Sequence, residues 1–224
     1  KAIEIDPNYA DAYRFRGSSR YELGDYYLAI LDFTKAIEID PSNADTYLKR
    51  GLAKKEAKDY SGAIADYTKA IEIDPNYKFT YNNIANVKNI LGHYSEAISY
   101  LKKAIEIDPN DSIAYFTRGI SKNKLEDYLG AIADYTKAIE INPNFAAAYV
   151  NRGYAKSFLK DYSGVISDAT KAIEINPKLH QAYFLKGNVY EKKSNLKDAC
   201  NYWQMASIFG SNSKNLANKM KESC

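Results

Sequence analysis

All six prolines of this 224-residue chain are separated by the same interval. They are Pro7, Pro41, Pro75, Pro109, Pro143 and Pro177, each 34 residues from the next. A fixed period of this length indicates one supersecondary unit copied in tandem, and 34 residues is the length of a helix–turn–helix unit. The chain is therefore predicted to be all-α and to offer a binding surface rather than a catalytic pocket.

With each proline at repeat position 32, the chain contains six complete repeats and two end segments. The predicted repeats are 10–43, 44–77, 78–111, 112–145, 146–179 and 180–213. Residues 1–9 match the end of a preceding repeat, so we expect more protein upstream. Residues 211–224 leave the pattern and are predicted to form an amphipathic helix that caps the last repeat. No linker interrupts the repeats, which predicts one continuous array.

The turn inside each repeat has its own signature at positions 15 and 16. Position 16 is a good N-cap for the second helix in five repeats, where it is Asp25, Asp59, Asp127, Asp161 or Asn195. Each such cap contributes about 1 kcal/mol. His93 takes this position in the third repeat, so we expect that turn to be the weakest. Gly24 and Gly92 at position 15 suit the left-handed turn that ends a helix.

Small residues recur at repeat positions 8, 20 and 27, and position 4 is Tyr in all six repeats. Small residues let two helices approach closely, while larger neighbours fill the space around them. The pattern resembles the tetratricopeptide repeat family over essentially the whole chain. Irregularities such as Ala85 for Gly and Val165 for Ala resemble bacterial arrays. The resemblance implies an α-solenoid: a right-handed superhelix of antiparallel helix pairs, with a concave groove lined by the first helix of each repeat.

Repeat positions 7 and 23 vary together. Wherever position 7 is Arg, position 23 is Asp, and the third and sixth repeats lack both. The two positions lie at about the same level of an antiparallel helix pair, which predicts a bidentate salt bridge inside four repeats. The predicted pairs are Arg16 with Asp32, Arg50 with Asp66, Arg118 with Asp134, and Arg152 with Asp168. These residues are interpreted as scaffold rather than ligand contacts.

Composition indicates neither catalysis nor nucleic-acid binding. Lys and Arg total 31 against 28 Asp and Glu, a near balance that gives no reason to expect nucleic acid or membrane insertion. No stretch approaches the roughly 20 apolar residues of a membrane span. His93 and His180 lie in distant repeats, so no metal site is predicted. We expect no enzyme activity within this chain and no cofactor.

The two cysteines are predicted to be free thiols. Cys200 replaces an Ile found at position 21 of the other five repeats, so it is interpreted as a small buried apolar residue. Cys224 is the last residue, and two cysteines are too few for a disulfide framework. Free thiols favour a cytoplasmic protein.

The resemblance implies that ligands contact positions 2, 5, 6, 9, 12 and 13, which also vary between repeats here. Asparagine at these positions offers a donor and an acceptor to a peptide backbone, and the apolar residues between would take side chains. The predicted groove residues are Asn82, Asn83, Asn86, Phe116, Ile120, Asn123, Val150, Asn151, Tyr154, Phe184 and Asn188. An alternative for Phe116, Tyr154 and Phe184 is that they fill gaps between neighbouring first helices.

We interpret the chain as a mostly monomeric scaffold that binds a peptide segment of a partner protein in the groove. A second hypothesis is a substrate-selecting array of a larger enzyme, such as a sugar transferase, with its catalytic domain upstream. A third is end-to-end assembly through the N-terminal edge around Ile3 and Ile5. The Lys/Asn clamp with which some family members grip chaperone C-termini is not matched around Asn83 or Asn151.

Overall fold

The computed structural model describes residues 2–211 and 214–224. Three predicted bounds involve residues outside this description. The N-terminal segment is predicted to begin at residue 1, the sixth repeat to end at residue 213, and the capping segment to include residues 212–213. Over the described residues the chain forms fourteen α-helices and no strand, which confirms the all-α prediction.

The helices form two compact units, Lys1–Pro109 and Asn110–Cys224. The first unit contains α1 (Ala2–Ile5), α2 (Ala10–Glu22), α3 (Tyr26–Ile39), α4 (Ala44–Glu56), α5 (Tyr60–Ile73), α6 (Lys78–Ile90) and α7 (Tyr94–Ile107). The second contains α8 (Ser112–Lys124), α9 (Tyr128–Ile141), α10 (Ala146–Phe158), α11 (Tyr162–Ile175), α12 (His180–Lys192), α13 (Leu196–Ile208) and α14 (Lys214–Ser223). The sequence predicts one continuous array. In such an array each repeat contacts only its neighbours, so separate compact units can form along a chain that has no linker between them.

The second helix of most repeats is capped by the side chain at position 16. Asp59, Asp127 and Asp161 each accept a hydrogen bond from the backbone N–H three residues later, at 2.9 Å, and Asn195 does so at 3.2 Å. The prediction is wrong for Asp25, whose side chain makes no cap hydrogen bond.

Position 19 differs between these repeats. The three capping aspartates face a glycine, and a Cβ added at Gly62, for instance, would lie only 2.1 Å from the Asp59 carboxylate. The first repeat carries Leu28 at this position, but Asn195 caps its helix with Asp198 there, so a glycine is not required for the cap. His93 also makes no cap hydrogen bond. It lies instead 3.3 Å from Glu96, which pairs with Lys88 at 2.6 Å.

Glycine at position 8 makes room for the large side chain at position 24. A Cβ added at Gly51 would lie 2.5 Å from the Tyr67 ring, and one at Gly187 would lie 2.4 Å from Trp203. The third repeat has Ala85 at position 8, and there position 24 is the smaller Leu101. The fifth repeat differs, because its position 24 is the small Ala169, and a Cβ added at Gly153 would lie 2.7 Å from Leu185 of the next repeat.

Two of these core tyrosines bury a hydroxyl group without a hydrogen-bond partner. The hydroxyls of Tyr67 and Tyr135 are enclosed and unpaired in the described structure, and both residues are 0% exposed. The first repeat places Phe33, which has no hydroxyl, at the same position. Burial also raises the pKa of both tyrosines.

Tyr67→Phe is expected to increase the free energy of unfolding by about 1 kcal/mol, because it removes a buried polar group that has no partner. Urea denaturation followed by circular dichroism would measure this. Tyr183→Phe is the matched control, since the Tyr183 hydroxyl donates to the Pro177 carbonyl at 3.0 Å. The control is expected to lose stability. A destabilised Tyr67→Phe would contradict the prediction.

The four predicted Arg–Asp pairs are bidentate in the structure. Each arginine donates from Nε and one Nη to the two carboxylate oxygens of its aspartate, at 2.6–3.0 Å. The aspartates are buried, with 2–4% of each residue exposed. A buried carboxylate must be paired, and here two parallel bonds satisfy both oxygens.

A second cation reaches the same carboxylate in each of these repeats. The position 11 residues lie 2.6–2.9 Å from the buried aspartates and are Arg20, Lys54, Lys122 and Lys156. The sixth repeat replaces this arrangement with Lys186, whose Nζ lies 4.6 Å from the centre of the Tyr202 ring and donates to Thr170 at 3.0 Å. The basic side chains at positions 7 and 11 of these repeats are thus paired with partners inside the chain.

The last helix, α14, packs on α13. Leu216 is 1% exposed and joins a cluster around Trp203, while Lys219 lies over the Trp203 ring and pairs with Glu191. The prediction of two free thiols is wrong, because Cys200 and Cys224 form a disulfide. Packing of α14 on α13 brings Cys224, at the end of the chain, close to Cys200 near the start of α13. The cysteines therefore give no reason to place the protein in the cytoplasm.

Candidate functional site

The predicted groove residues lie on the first helices of repeats in both units, and each unit is described separately. In the first unit they belong to α6. Asn86 is exposed and Asn83 is half-buried. The Asn83 amide donates to the carbonyl of Phe79, one turn earlier, at 2.8 Å. Asn82 is half-buried on the same helix. Of these residues, Asn86 is the one that stands most openly on the surface.

In the second unit, the apolar residues of α8 contribute to packing. Phe116 is half-buried between the rings of Tyr135 and Phe145, with ring centres 5.8 and 4.6 Å away. Ile120 packs against the same core cluster. Asn123 keeps a buried Oδ1 that has no hydrogen-bond partner in the described structure. For Phe116, the alternative that it fills a gap agrees with these contacts.

Val150, which is predicted to contact a ligand, is only 4% exposed. It belongs to a core cluster with Val165, Leu185 and Val189. Position 5 of α10 therefore faces the interior between α10, α11 and α12. Position 5 of α4, Leu48, is similarly buried at 7% exposure.

The remaining predicted residues of this unit divide between packing and an open groove. The Asn151 amide donates to the Ala147 carbonyl of its own helix at 2.8 Å. Phe184 packs against the Trp203 cluster. Tyr154 and Asn188 line a cavity between α10 and α12. The structure thus brings two of the predicted residues together in one site.

This α10–α12 pocket has a volume of about 270 Å³. Its walls are lined by Tyr154, Ser157, Phe158, Tyr162, Leu185, Asn188, Val189 and Lys192. Phe158 stacks on Tyr128 with ring centres 4.5 Å apart, yet remains 61% exposed. Burial raises the pKa of the Tyr154 hydroxyl above its ordinary value. The site is therefore mostly apolar, with a few polar groups at its edge.

A corresponding pocket lies between α2 and α4 in the first unit. This α2–α4 pocket has a volume of about 240 Å³ and is lined by Ser18, Tyr21, Glu22, Phe33, Lys49 and Leu52. Lys49 pairs with Asp45 at 3.1 Å. Five of the six lie at the repeat positions that the family resemblance assigns to ligands, and Phe33 at position 24 is the exception.

The described residues offer neither a metal-binding cluster nor a membrane span. Across 2–211 and 214–224, no group of three or more His, Cys, Asp or Glu side chains could hold a metal ion. None of the helices described is both long enough and apolar enough to span a membrane.

Family models match most of this chain. Two models described as tetratricopeptide repeat match residues 44–77, 79–111 and 146–179. A model described as TPR repeat matches residues 17–58 and 121–157. A comparison with curated proteins finds no match.

Solved structures with similar folds come from several different proteins. The chain is 25% identical to YrrB, described as a TPR protein with an unusual peptide-binding site, with a TM-score of 0.67 over 85% of this chain and 97% of YrrB. It is 20% identical to PilW, a type IV pilus biogenesis factor, with a TM-score of 0.82 over 93% of this chain and 97% of PilW.

A chain of the APC/C hetero-tetramer Cut9-Hcn1 is 18% identical, with a TM-score of 0.80. That match covers 99% of the present chain and 44% of the APC/C chain, so the present chain spans less than half its length. The likenesses to PilW and to the APC/C chain concern the fold alone.

Proposed function

Since this chain belongs to the tetratricopeptide repeat family, we propose that it is a protein-interaction scaffold that holds a peptide segment of a partner between successive first helices. The observation that carries the proposal is the α10–α12 pocket. It opens at the repeat positions that the family resemblance assigns to ligands, and it is mostly apolar. A concave apolar site with a few polar groups is the usual form of a binding site.

Exposed apolar side chains on the first helices support the same proposal. Phe158 at the pocket edge is 61% exposed, Ile113 on α8 is 59% exposed, and Phe15 on α2 is 65% exposed. Of these, Phe158 lines the α10–α12 pocket, and an exposed apolar side chain beside an apolar cavity is typical of an interaction site. The similarity to YrrB, which has a peptide-binding site by its description, adds to this argument.

The polar groups of the first helices suit recognition of a peptide backbone. The amides of Asn83 and Asn151 donate within their own helices, so each offers its oxygen as an acceptor. A linear ligand loses conformational entropy when it binds, so a dissociation constant of about 1 μM is expected.

The proposal predicts that Phe158→Asp abolishes capture of the partner. A charge at this exposed pocket edge would oppose burial of an apolar ligand group, and a loss of affinity of at least about tenfold is expected. Immobilised wild-type and variant chains would be incubated with extract of the source cells, and the retained proteins identified by mass spectrometry.

Leu129→Asp is the matched control, because Leu129 is 72% exposed on the second helix α9 and lines neither pocket. Both variants should keep the circular dichroism spectrum of the wild type. Partners lost with Phe158→Asp and retained with Leu129→Asp would support the groove. Equal retention by both variants would move the binding site elsewhere on the chain.

A further inference from the structure

We propose that the α10–α12 pocket selects peptide segments in which an apolar side chain is adjacent to a carboxylate, and that Lys192 recognises the carboxylate. The inference rests on the proposed peptide-binding function and adds the chemical class of the peptide.

The apolar part of the ligand is indicated by the pocket walls. Tyr154, Phe158, Tyr162, Leu185 and Val189 supply most of the lining. The volume of about 270 Å³ lies just below the range of roughly 300–1,000 Å³ that is usual for small-molecule and cofactor sites. A single large aliphatic or aromatic side chain suits a space of this size and lining.

The acidic part of the ligand is indicated by charge. Lys192 is the one charged side chain among the eight that line the pocket as described. It is exposed, and it forms no ion pair within the described part of the chain. Nearby lysines differ, since Lys156 pairs with Asp168 at 2.9 Å and Lys219 pairs with Glu191. Lys192 therefore keeps its charge available to a ligand.

Asn188 lies four residues before Lys192 on α12, so it places a second donor on the same face of the helix. Its Oδ1 accepts a hydrogen bond from the indole Nε1 of Trp203 at 3.3 Å, which orients the amide. The Nδ2 group remains as a donor at the pocket wall. An ammonium and an amide N–H at one edge match the two oxygens of a carboxylate.

Further lysines near the pocket extend the positive electrostatic potential that Lys192 creates. Lys193 and Lys197 are exposed on the turn that follows α12 and on the first turn of α13. Residues 110–224 carry sixteen Lys and Arg against eleven Asp and Glu, whereas residues 1–109 carry fifteen against seventeen. An acidic peptide is thus attracted to the second unit, because complementary potentials guide association.

The α2–α4 pocket provides an internal contrast. Its lining includes Glu22 as well as Lys49, and Lys49 already pairs with Asp45. A carboxylate entering that pocket meets a negative charge and an occupied lysine. The two pockets therefore differ in the ligand charge that they accept, although they lie at equivalent repeat positions.

The test is selection of a random peptide library, displayed on phage, against the immobilised 224-residue chain. The enriched peptides are expected to combine an aromatic or aliphatic residue with a neighbouring Asp or Glu. A synthetic copy of the most enriched sequence would then be titrated by fluorescence anisotropy. Copies with an amidated and a free C-terminus distinguish a side-chain carboxylate from a terminal one.

Lys192→Glu is expected to weaken binding of this peptide about tenfold and to restore binding of a copy in which Asp and Glu are replaced by Lys. Lys178→Glu is the matched control, since it makes the same change in net charge at an exposed residue of the turn before α12. This control is expected to bind as the wild type does.

Three other outcomes are possible, and each would contradict a different part of the proposal. Enriched peptides without acidic residues that compete for the pocket would overturn the carboxylate preference and leave the peptide-binding function standing. Enriched acidic peptides that bind Lys192→Glu and wild type equally would remove Lys192 from the site. Absence of any enrichment would overturn the proposed function itself.

Discussion

Asp134→Ala is expected to destabilise the second unit by about 3–5 kcal/mol, the cost of leaving a buried charge without its partner. In the structure Arg118 and Lys122 both contact this carboxylate, at 2.7 and 2.8 Å. Their side chains are only 16% and 21% exposed. Removing the carboxylate leaves two neighbouring cations that water reaches poorly. Urea denaturation followed by circular dichroism, at several wavelengths because repeat arrays need not unfold in two states, would measure the loss.

The chain itself offers the control for this prediction. The third repeat has Ile84 and Tyr100 in place of the arginine and aspartate. The double variant Arg118→Ile/Asp134→Tyr copies these two positions and is expected to recover part of the stability lost in Asp134→Ala, while Lys122 still lacks the partner that Glu96 provides for Lys88. A loss below about 1 kcal/mol in the single variant would contradict the prediction, because that is the range of exposed ion pairs.

Reduction of the Cys200–Cys224 disulfide is expected to release α14 from α13. The two cysteines are 24 residues apart, and closing a loop of that length stabilises the closed form by about 3 kcal/mol in the chain-entropy description. Because each element contacts only its neighbours, the effect should stay local. Hydrogen exchange should therefore accelerate in residues 214–224 and change little in α10 and α11.

Cys224→Ser is the matched variant, because it removes the bridge at an exposed chain end and leaves Cys200 in place. Without reductant it should exchange as the reduced wild type does, and reductant should have no further effect on it. Alkylation followed by mass spectrometry would count the free thiols. Two alkylated cysteines in the wild type without reductant would contradict the prediction at its first step.

Helix positions could be predicted from the sequence because they depend on local signals. The first helix of every repeat begins at repeat position 1, from Ala10 in the first repeat to His180 in the sixth. Proline and the N-capping residues act within one turn, so their effect can be inferred without knowing the fold. The cap at Asp25 is the exception, since its side chain makes no cap hydrogen bond.

Part of the charge network could also be predicted. Arg and Asp at positions 7 and 23 are present or absent together, and that variation indicated their pairing. The second cation at position 11 was missed because it is basic in the third repeat too, where Lys88 pairs with Glu96 instead. Position 11 loses its charge only in the sixth repeat, where it is Tyr190, so it follows the aspartate in one of the two repeats that lack it and gives only weak covariation.

The groove residues were predicted less well, since burial depends on neighbouring helices. Val150 and Phe116 occupy the same repeat position as Asn82, yet both apolar side chains are used in packing. The α10–α12 pocket is lined by Tyr154 from the first helix of the fifth repeat and by Asn188 from the first helix of the sixth repeat. Whether a variable position faces a ligand or a neighbour is set by the spacing of the helices, which no single repeat specifies.

The sequence by itself determined the all-α class, the family and the period, because these follow from local propensity repeated at a fixed interval. Tertiary structure alone decided which groove residues remain open and how the cysteines pair. Cys200 and Cys224 seemed unrelated in the sequence, but packing of Leu216 against the Trp203 cluster brings their Cα atoms to 5.6 Å. Contacts between residues distant in the sequence form only when helices pack, so their consequences become visible only in the folded chain.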